Sequence, residues 1–283
     1  MFGFLNIYKP KGKTSHDVVS VLRKITKIKQ IGHTGTLDPF AEGVLPICIG
    51  KATRLIEYLD DNKAYEGIIQ LGSSTDTYDT EGSILKTSDQ QVTFDEIKEK
   101  ITLFKGEIEQ LPPIYSAIKV NGKKLYEYAR QGEEVEIKPR RVNIYTFEIL
   151  NYDKDTHQIE FHIECSKGTY IRSIANDLGE KLGTYGHLIK LVRVKAGKFE
   201  IENTTRLEDL LTIEDVEKKI INPLTSLDYP KYEATDRELH LLSNGMRISV
   251  DITDGISIIT NNNRIIAIGN TINNKFKPNK VFI

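Results

Sequence analysis

Cysteine is scarce in this chain: two residues in 283. Cys48 and Cys165 each sit among apolar, strand-like neighbours, which suits buried free thiols and argues against a disulfide framework or a cysteine metal site. Long apolar runs are also missing. No stretch approaches the roughly 18 residues of a membrane span, and Met1-Phe2-Gly3-Phe4-Leu5-Asn6 reaches Lys9 without the apolar segment of a signal peptide. A cytoplasmic protein with no membrane attachment is therefore expected. Without clustered His or Cys ligands, neither a metal nor a redox cofactor is expected.

An excess of charge of either sign is lacking too, since 39 Lys and Arg stand against 40 Asp and Glu, for a net charge of -1. Charge is nevertheless unevenly placed. Residues 1–55 hold nine Lys and Arg against three Asp and Glu, and residues 167–198 hold seven against two. A basic face on a neutral protein suits a polyanion that is held and then released, although scattered lysines also simply solubilise a surface. With 39% hydrophobic and 28% charged residues, the chain reads as an ordinary globular protein long enough for a large core.

Along the chain, Phe4–Tyr8 reads as a strand turned by Lys9-Pro10-Lys11-Gly12. Thr14 with Asp17 starts a helix whose apolar residues are Val18, Val21, Leu22, Ile25 and Ile28. Gly32-His33-Thr34-Gly35-Thr36-Leu37-Asp38-Pro39 follows, ahead of the apolar run Val44–Ile49. The glycines permit unusual backbone angles and Pro39 keeps Asp38 out of the helical region, so a rigid loop presents one carboxylate. Asp before Pro also serves as a turn or helix cap, and both readings stand at this point. A polar loop bracketed by core-forming segments is nevertheless where sites are built.

Ala52–Leu59 is expected to form a short helix, Ala64–Gly72 a strand, Phe94–Phe104 a helix and Ile159–Cys165 a strand. Asn121-Gly122 marks a hairpin turn, with Lys119, Lys123, Lys124 and Arg130 interleaved among Tyr115, Tyr126 and Tyr128. Such a mixture suits RNA contact as well as a plain hairpin and helix. Gly43 and Gly50 are too far apart for a phosphate loop, and Thr75–Gly82 lacks the ligand spacing of a calcium loop. After Ser166-Lys167-Gly168-Thr169-Tyr170, a helix runs through Ala175, Leu178 and Leu182. Arg172 at its start needs a carboxylate if buried, and Asp38 is the candidate. Leu207–Ile221 is a charged helical stretch, Pro223 and Pro230 mark a linker, and residues 231–283 read as a small β unit with turns at Asp254-Gly255 and Asn261-Asn262-Asn263.

Gly-His-Thr-Gly-Thr-Leu-Asp-Pro at residues 32–39 resembles the signature of the tRNA pseudouridine-55 synthases, the TruB branch of the pseudouridine synthases. Further matching stretches extend over roughly residues 4–195. The resemblance implies an α+β fold, with a mixed, mainly antiparallel central sheet flanked by helices and a small C-terminal β domain of PUA-like type. The domains would be 1–228, catalytic, and 229–283, RNA-binding. It implies that Asp38 is the nucleophile, that Arg172 holds it ionised and aimed, and that Tyr65 stacks on the uracil and relays a proton. Lys9 with Pro10 would support the loop, His33 would fill the space of an extruded base, and Asp76 would tie the arginine. Tyr170 would pack under the base and Leu191 would line its pocket, while Lys119, Lys124 and Arg130 would grip the RNA arm. The partner would be the T-arm stem-loop of tRNA, bound by a monomer. Two other classes stand beside this one: a glycosidase-like hydrolase using Asp38 with Glu42, and a protein that chiefly binds or folds RNA.

Overall fold

The structure, a computed structural model, describes residues 1–283. In chain order the first part runs β1 (Gly3–Lys9), α1 (Ser15–Thr26), β2 (Ile31–His33), β3 (Glu42–Ile49), a 3-10 helix at Gly50–Tyr58, β4 (Lys63–Leu71), β5 (Ser73–Thr75) and β6 (Ile84–Thr87). Next come α2 (Phe94–Ile101), β7 (Gly106–Gln110), β8 (Lys119–Val120), β9 (Lys123–Lys124), α3 (Leu125–Gln131), β10 (Arg140–Asp153), β11 (Gln158–Cys165), α4 (Ile171–Leu182), β12 (Gly186–Ala196), β13 (Phe199–Glu200), β14 (Thr205–Arg206) and α5 (Ile213–Lys218). The remainder is β15 (Lys231–Glu233), α6 (Asp236–Ser243), β16 (Ile248–Ser249), β17 (Gly255–Asn261), β18 (Arg264–Ile272) and β19 (Lys275–Val281).

The large sheet has the order β14-β1-β3-β12-β4-β11-β10-β7, with β13 beside β12 and β2 beside β3. Only β1 with β14 and β3 with β12 run parallel; the other pairs are antiparallel. This is the mixed, mainly antiparallel sheet with flanking helices. A second sheet, β15-β17-β18-β19-β16, forms the C-terminal β unit.

Local chemistry explains the elements that position the site. Helix α1 opens on a capping box: the Thr14 hydroxyl accepts from the Asp17 N–H at 3.0 Å and the Asp17 carboxylate accepts from the Thr14 N–H at 2.8 Å. It closes on Lys27 in the left-handed conformation (φ 60°), so Ile28 lies beyond the helix. The buried stripe is Ser15, Val18, Val19, Leu22 and Thr26, so Val19 takes the inward place expected for Val21. Asn121 and Gly122, with φ of 51° and 84°, make the tight β8–β9 turn. The segment expected as a helix from Ala52 is 3-10 in form, and the charged stretch 207–221 is broken into a 3-10 turn and the short α5.

Helices α2 and α4 cover one face of the sheet, where Phe104, Phe147 and Phe161 meet edge to face at 6.1 and 6.0 Å. A second cluster joins α1 to β1 and β3. A third is shared between the sheets: Ile258, Ile265 and Ile268 pack with Phe4, Val44, Cys48 and Leu55. Polar ties reinforce that junction, with Arg54 donating to the Val281 carbonyl at 2.8 Å, Tyr229 to the Tyr58 carbonyl at 3.0 Å, and Lys280 pairing with Glu57 at 3.0 Å. Cys48 and Cys165 are buried free thiols, pushed by burial up to about 12 and about 11. No helix is long and apolar enough to cross a membrane.

Candidate active site

The loop between β2 and β3 is shaped by its neighbours. Thr34 N–H donates to the Pro46 carbonyl at 3.1 Å, and Ala41 N–H closes a turn on the Asp38 carbonyl at 3.2 Å. No helix follows, so the Asp38 carboxylate is not spent on a helix cap and is free to face the cleft. The Ser15 hydroxyl accepts from Leu37 N–H at 2.8 Å, and Gly12 N–H donates to the Pro39 carbonyl at 2.8 Å.

Arg193 holds the loop from below. Fully buried, its guanidinium donates to three carbonyl oxygens, those of Val44 (2.7 Å), Gly35 (3.1 Å) and Thr36 (3.4 Å). Gly32 and Gly35 were expected to supply unusual backbone angles, but neither has positive φ. Gly35 instead supplies room: a Cβ there would lie 3.3 Å from Lys63 Cε. The glycine whose backbone excludes other residues is Gly43, with φ 105° and space for a Cβ only 2.3 Å from the Arg193 carbonyl oxygen.

Arg172, at the start of α4, meets Asp38 across 134 residues of sequence. Its Nε donates to Asp38 Oδ2 at 2.8 Å and its Nη2 to Oδ1 at 3.2 Å, a two-pronged grip on one carboxylate. The remaining donors are used as well, Nη1 on the Thr77 carbonyl at 2.8 Å and Nη2 on the Tyr115 carbonyl at 2.9 Å. The guanidinium is 4% exposed, so these ties fix where the carboxylate points.

A second carboxylate stands behind the arginine, and it is not Asp76. Asp79 Oδ2 lies 3.6 Å from Arg172 Nη1 and is buried. Asp76 instead accepts from Ser83 N–H at 2.8 Å and pins its own β5–β6 loop. The physical reason is the left-handed backbone at Tyr78 (φ 63°), which turns the chain so that the later acid faces inward. Burial pushes the Asp79 carboxyl up, while the Thr77 hydroxyl, the Glu81 N–H and Arg172 draw it back.

Asp38, Tyr65, Tyr170, Arg172 and Leu191 line one cleft of about 300 Å³, together with Lys63, Ser116 and Lys167. It opens where β12 runs between β3 and β4. The Tyr65 phenol is pushed up to about 12 by burial, so it is a neutral ring across the ordinary pH range. Tyr170 is set by Gln110, a residue that sequence reasoning passed over. The Gln110 Oε1 accepts from Tyr170 N–H at 2.8 Å and its Nε2 donates to the Tyr170 carbonyl at 3.0 Å.

Several expected site residues lie outside the cleft. Lys9 is fully buried under the loop, its ammonium donating to the carbonyls of Lys13 (2.6 Å), Pro10 (3.0 Å) and Pro39 (3.4 Å). It supports the loop and is closed to a ligand, and burial lowers it to about 8. His33 is half-buried beside the cleft and is lowered chiefly by burial. Lys119, Lys124 and Arg130 sit on the hairpin and α3 above it, with Lys124 and Arg130 each 5.3 Å from the Tyr126 ring centre. Glu42, the partner in the hydrolase reading, does not line the cleft.

Solved structures place the fold. The chain aligns over 100% of its length with 84% of a chain in "Crystal Structure of a Cbf5-Nop10-Gar1 Complex", at a TM-score of 0.74 and 26% identity. It aligns over 100% of its length with 85% of a chain in "Structure of H/ACA RNP bound to a substrate RNA containing 2'-deoxyuridine", at 0.70 and 24%. The architecture is that of the pseudouridine synthases. Residues 23–171 match the model of the TruB family pseudouridylate synthase (N terminal domain), and residues 172–227 that of the tRNA pseudouridylate synthase B C-terminal domain. The chain belongs to the TruB family of pseudouridylate synthases. Similar relatives include the tRNA pseudouridine synthase B of Clostridium tetani, 45% identical over 88% of this chain and 86% of that one. That of Caldanaerobacter subterraneus subsp. tengcongensis is 42% identical over 99% of each.

Proposed function

We propose that this chain converts uridine to pseudouridine in tRNA, at position 55 in the T-loop, with Asp38 as the nucleophile. The observation that carries the reading is the carboxylate of Asp38, held at two points by a buried arginine in a cleft lined by tyrosines and a leucine. Family membership and the names of the relatives support tRNA as the substrate class.

The reaction breaks the bond from ribose C1′ to uracil N1, turns the base and joins C1′ to C5. N1 gains a proton and C5 loses one. A single aimed carboxylate meets this need, whether it adds to C1′ or to C6 of the base, and no metal or redox cofactor enters the scheme. Arg172 aims Asp38 by gripping both oxygens of its carboxylate. Tyr65, held neutral, offers a ring for stacking and an O–H for passing a proton, not a standing phenolate.

The target base lies inside a folded loop and is extruded into the cleft at a cost of a few kcal/mol in stacking. Tyr170 packs under it, Leu191 closes its side and His33 enters the vacated space. Lys119, Lys124 and Arg130 meet the phosphates of the arm, with residues 1–228 as the catalytic part and 229–283 as a PUA-like RNA-binding part of a monomer. Asp38→Asn tests the central claim with a T-arm stem-loop labelled with tritium at uracil C5. Isomerisation, read as tritium release, is expected to vanish while binding of the arm stays within about twofold; brisk release from this variant would remove Asp38 from its role.

A further inference from the structure

Helix α1 and the turn before it carry positive charge that the fold leaves unused. Of the nine Lys and Arg in residues 1–55, Lys9 is buried on carbonyl groups, Arg23 donates to the Ile31 carbonyl at 3.1 Å and Arg54 to the Val281 carbonyl at 2.8 Å. Lys11, Lys13, Lys24, Lys27 and Lys29 are exposed, and none of them has a carboxylate oxygen within 4.0 Å. Elsewhere Lys123, Lys167 and Lys280 each meet a carboxylate at 2.7–3.0 Å. The one acid of α1, Asp17, already accepts from the Thr14 N–H and hydroxyl. A surface that serves solubility alone interleaves both signs; the water-facing side of α1, opposite its buried stripe, carries mainly one.

Both ends of this track are placed. The Ser15 hydroxyl accepts from Leu37 N–H and the Gly12 N–H donates to the Pro39 carbonyl, so Lys11 and Lys13 stand beside the loop that carries Asp38. At the far end of the 12-residue helix, about 18 Å on, Lys27 and Lys29 lead into β2. At about 3.4 Å of axis per phosphate, that length runs beside roughly five phosphates of one strand of a duplex. The sheet order puts β1 and β3, which α1 covers, on one side of β12 and β4, and puts β7, which leads to the Lys119–Lys124 hairpin, on the other. An RNA arm resting on the hairpin with its loop in the cleft leaves α1 uncovered. Resting on the function proposed above, we infer that the outer face of α1 is a second RNA contact, one that takes phosphates of the substrate tRNA lying outside the T-arm.

The test compares an unmodified full-length tRNA with the isolated T-arm stem-loop, bound by the full-length protein at several salt concentrations between about 50 and 200 mM. For the wild type, the slope of log affinity against log salt should be steeper by about two to three for the whole tRNA than for the arm, as two or three added phosphate contacts require. Replacing Lys24, Lys27 and Lys29 together by Gln should weaken the whole tRNA at least about tenfold and bring its slope down to that of the arm, while affinity for the arm stays within about twofold. The same three positions changed to Arg should keep tight binding of the whole tRNA. Equal weakening on both RNAs would assign these lysines to the T-arm itself, and unchanged binding of both would leave the face to solvent or to another polyanion; either overturns the inference. Should the Gln variant fail to fold, equal wild-type slopes on the two RNAs still count against the contact. A wild type that binds tRNA along this face and never isomerises it refutes the function and leaves the contact standing.

Discussion

Replacing Arg172 with alanine tests whether one guanidinium organises the cleft. The side chain makes four hydrogen bonds at 2.8–3.2 Å and lies 3.6 Å from a second carboxylate. Removing it strands Asp79, which is 3% exposed, together with the carbonyls of Thr77 and Tyr115. Breaking a buried pair by deleting one partner costs about 3–5 kcal/mol, against a total stability of about 5–15 kcal/mol for a typical domain. Arg172→Lys keeps the charge but not the fork, and its three donors cannot cover the same acceptors, so a smaller loss of about 1–3 kcal/mol is expected. Urea unfolding followed by circular dichroism gives both numbers, provided the slope of the transition is unchanged. Single-turnover isomerisation of a T-arm stem-loop should fall at least about 100-fold in both variants, since about 2.7 kcal/mol of lost aim suffices. Adding Asp79→Asn to Arg172→Ala should return part of the stability, because the stranded charge is removed. An Arg172→Ala protein that unfolds within about 0.5 kcal/mol of wild type and turns over normally would refute the reasoning outright.

Other outcomes follow from the same geometry. Gln110→Ala strips both hydrogen bonds from the Tyr170 backbone, and each buried group left unpaired costs about 1–3 kcal/mol; thermal melting should show the loss, with a larger fall in kcat than rise in KM for the RNA arm. Lys9 is lowered to about 8 in the folded chain against about 10.5 unfolded, so between those values the unfolded chain binds more protons and stability rises with pH, and this gain is lost as pH falls through 8. Urea midpoints of wild type and Lys9→Met at pH 7.5, 9 and 10 should diverge along that slope; parallel curves would contradict it.

Much of this was legible in the sequence where local chemistry and tertiary need coincide. The Thr14–Asp17 capping box, the Asn121-Gly122 turn and the alternation of Ile159–Cys165 each act within a few residues, and each is present. The Asp38–Arg172 meeting was also readable, because a charged side chain in the first turn of a buried helix demands a counter-charge. Asp79 was hidden by a backbone reversal at Tyr78, which no side-chain pattern announces. Gln110 and Arg193 were hidden for another reason: each binds backbone carbonyl or amide groups, and such partners leave no trace in residue type. Strand β19, Lys275–Val281, was invisible because its lysines and proline break the apolar alternation of a strand, and only Phe276 is buried. Gly50–Tyr58 buries Ala52, Leu55 and Tyr58, every third residue, as a 3-10 helix does, and these three share a cluster with Ile258, Ile265 and Ile268 of the second sheet.

The apolar seam between the two sheets bears on any attempt to ask what the last fifty-odd residues contribute. Cutting the chain after residue 228 uncovers Phe4, Val44 and Leu55, which now rest against Ile258, Ile265 and Ile268, and it frees Arg54 and Glu57 of their mates. A shortened protein would thus carry a greasy wound directly behind the strands that bear the carboxylate loop, and its sluggishness would report that injury. Substitutions confined to the water-facing surface of the small sheet leave the seam closed, and they alone separate grip on a partner from integrity of the scaffold.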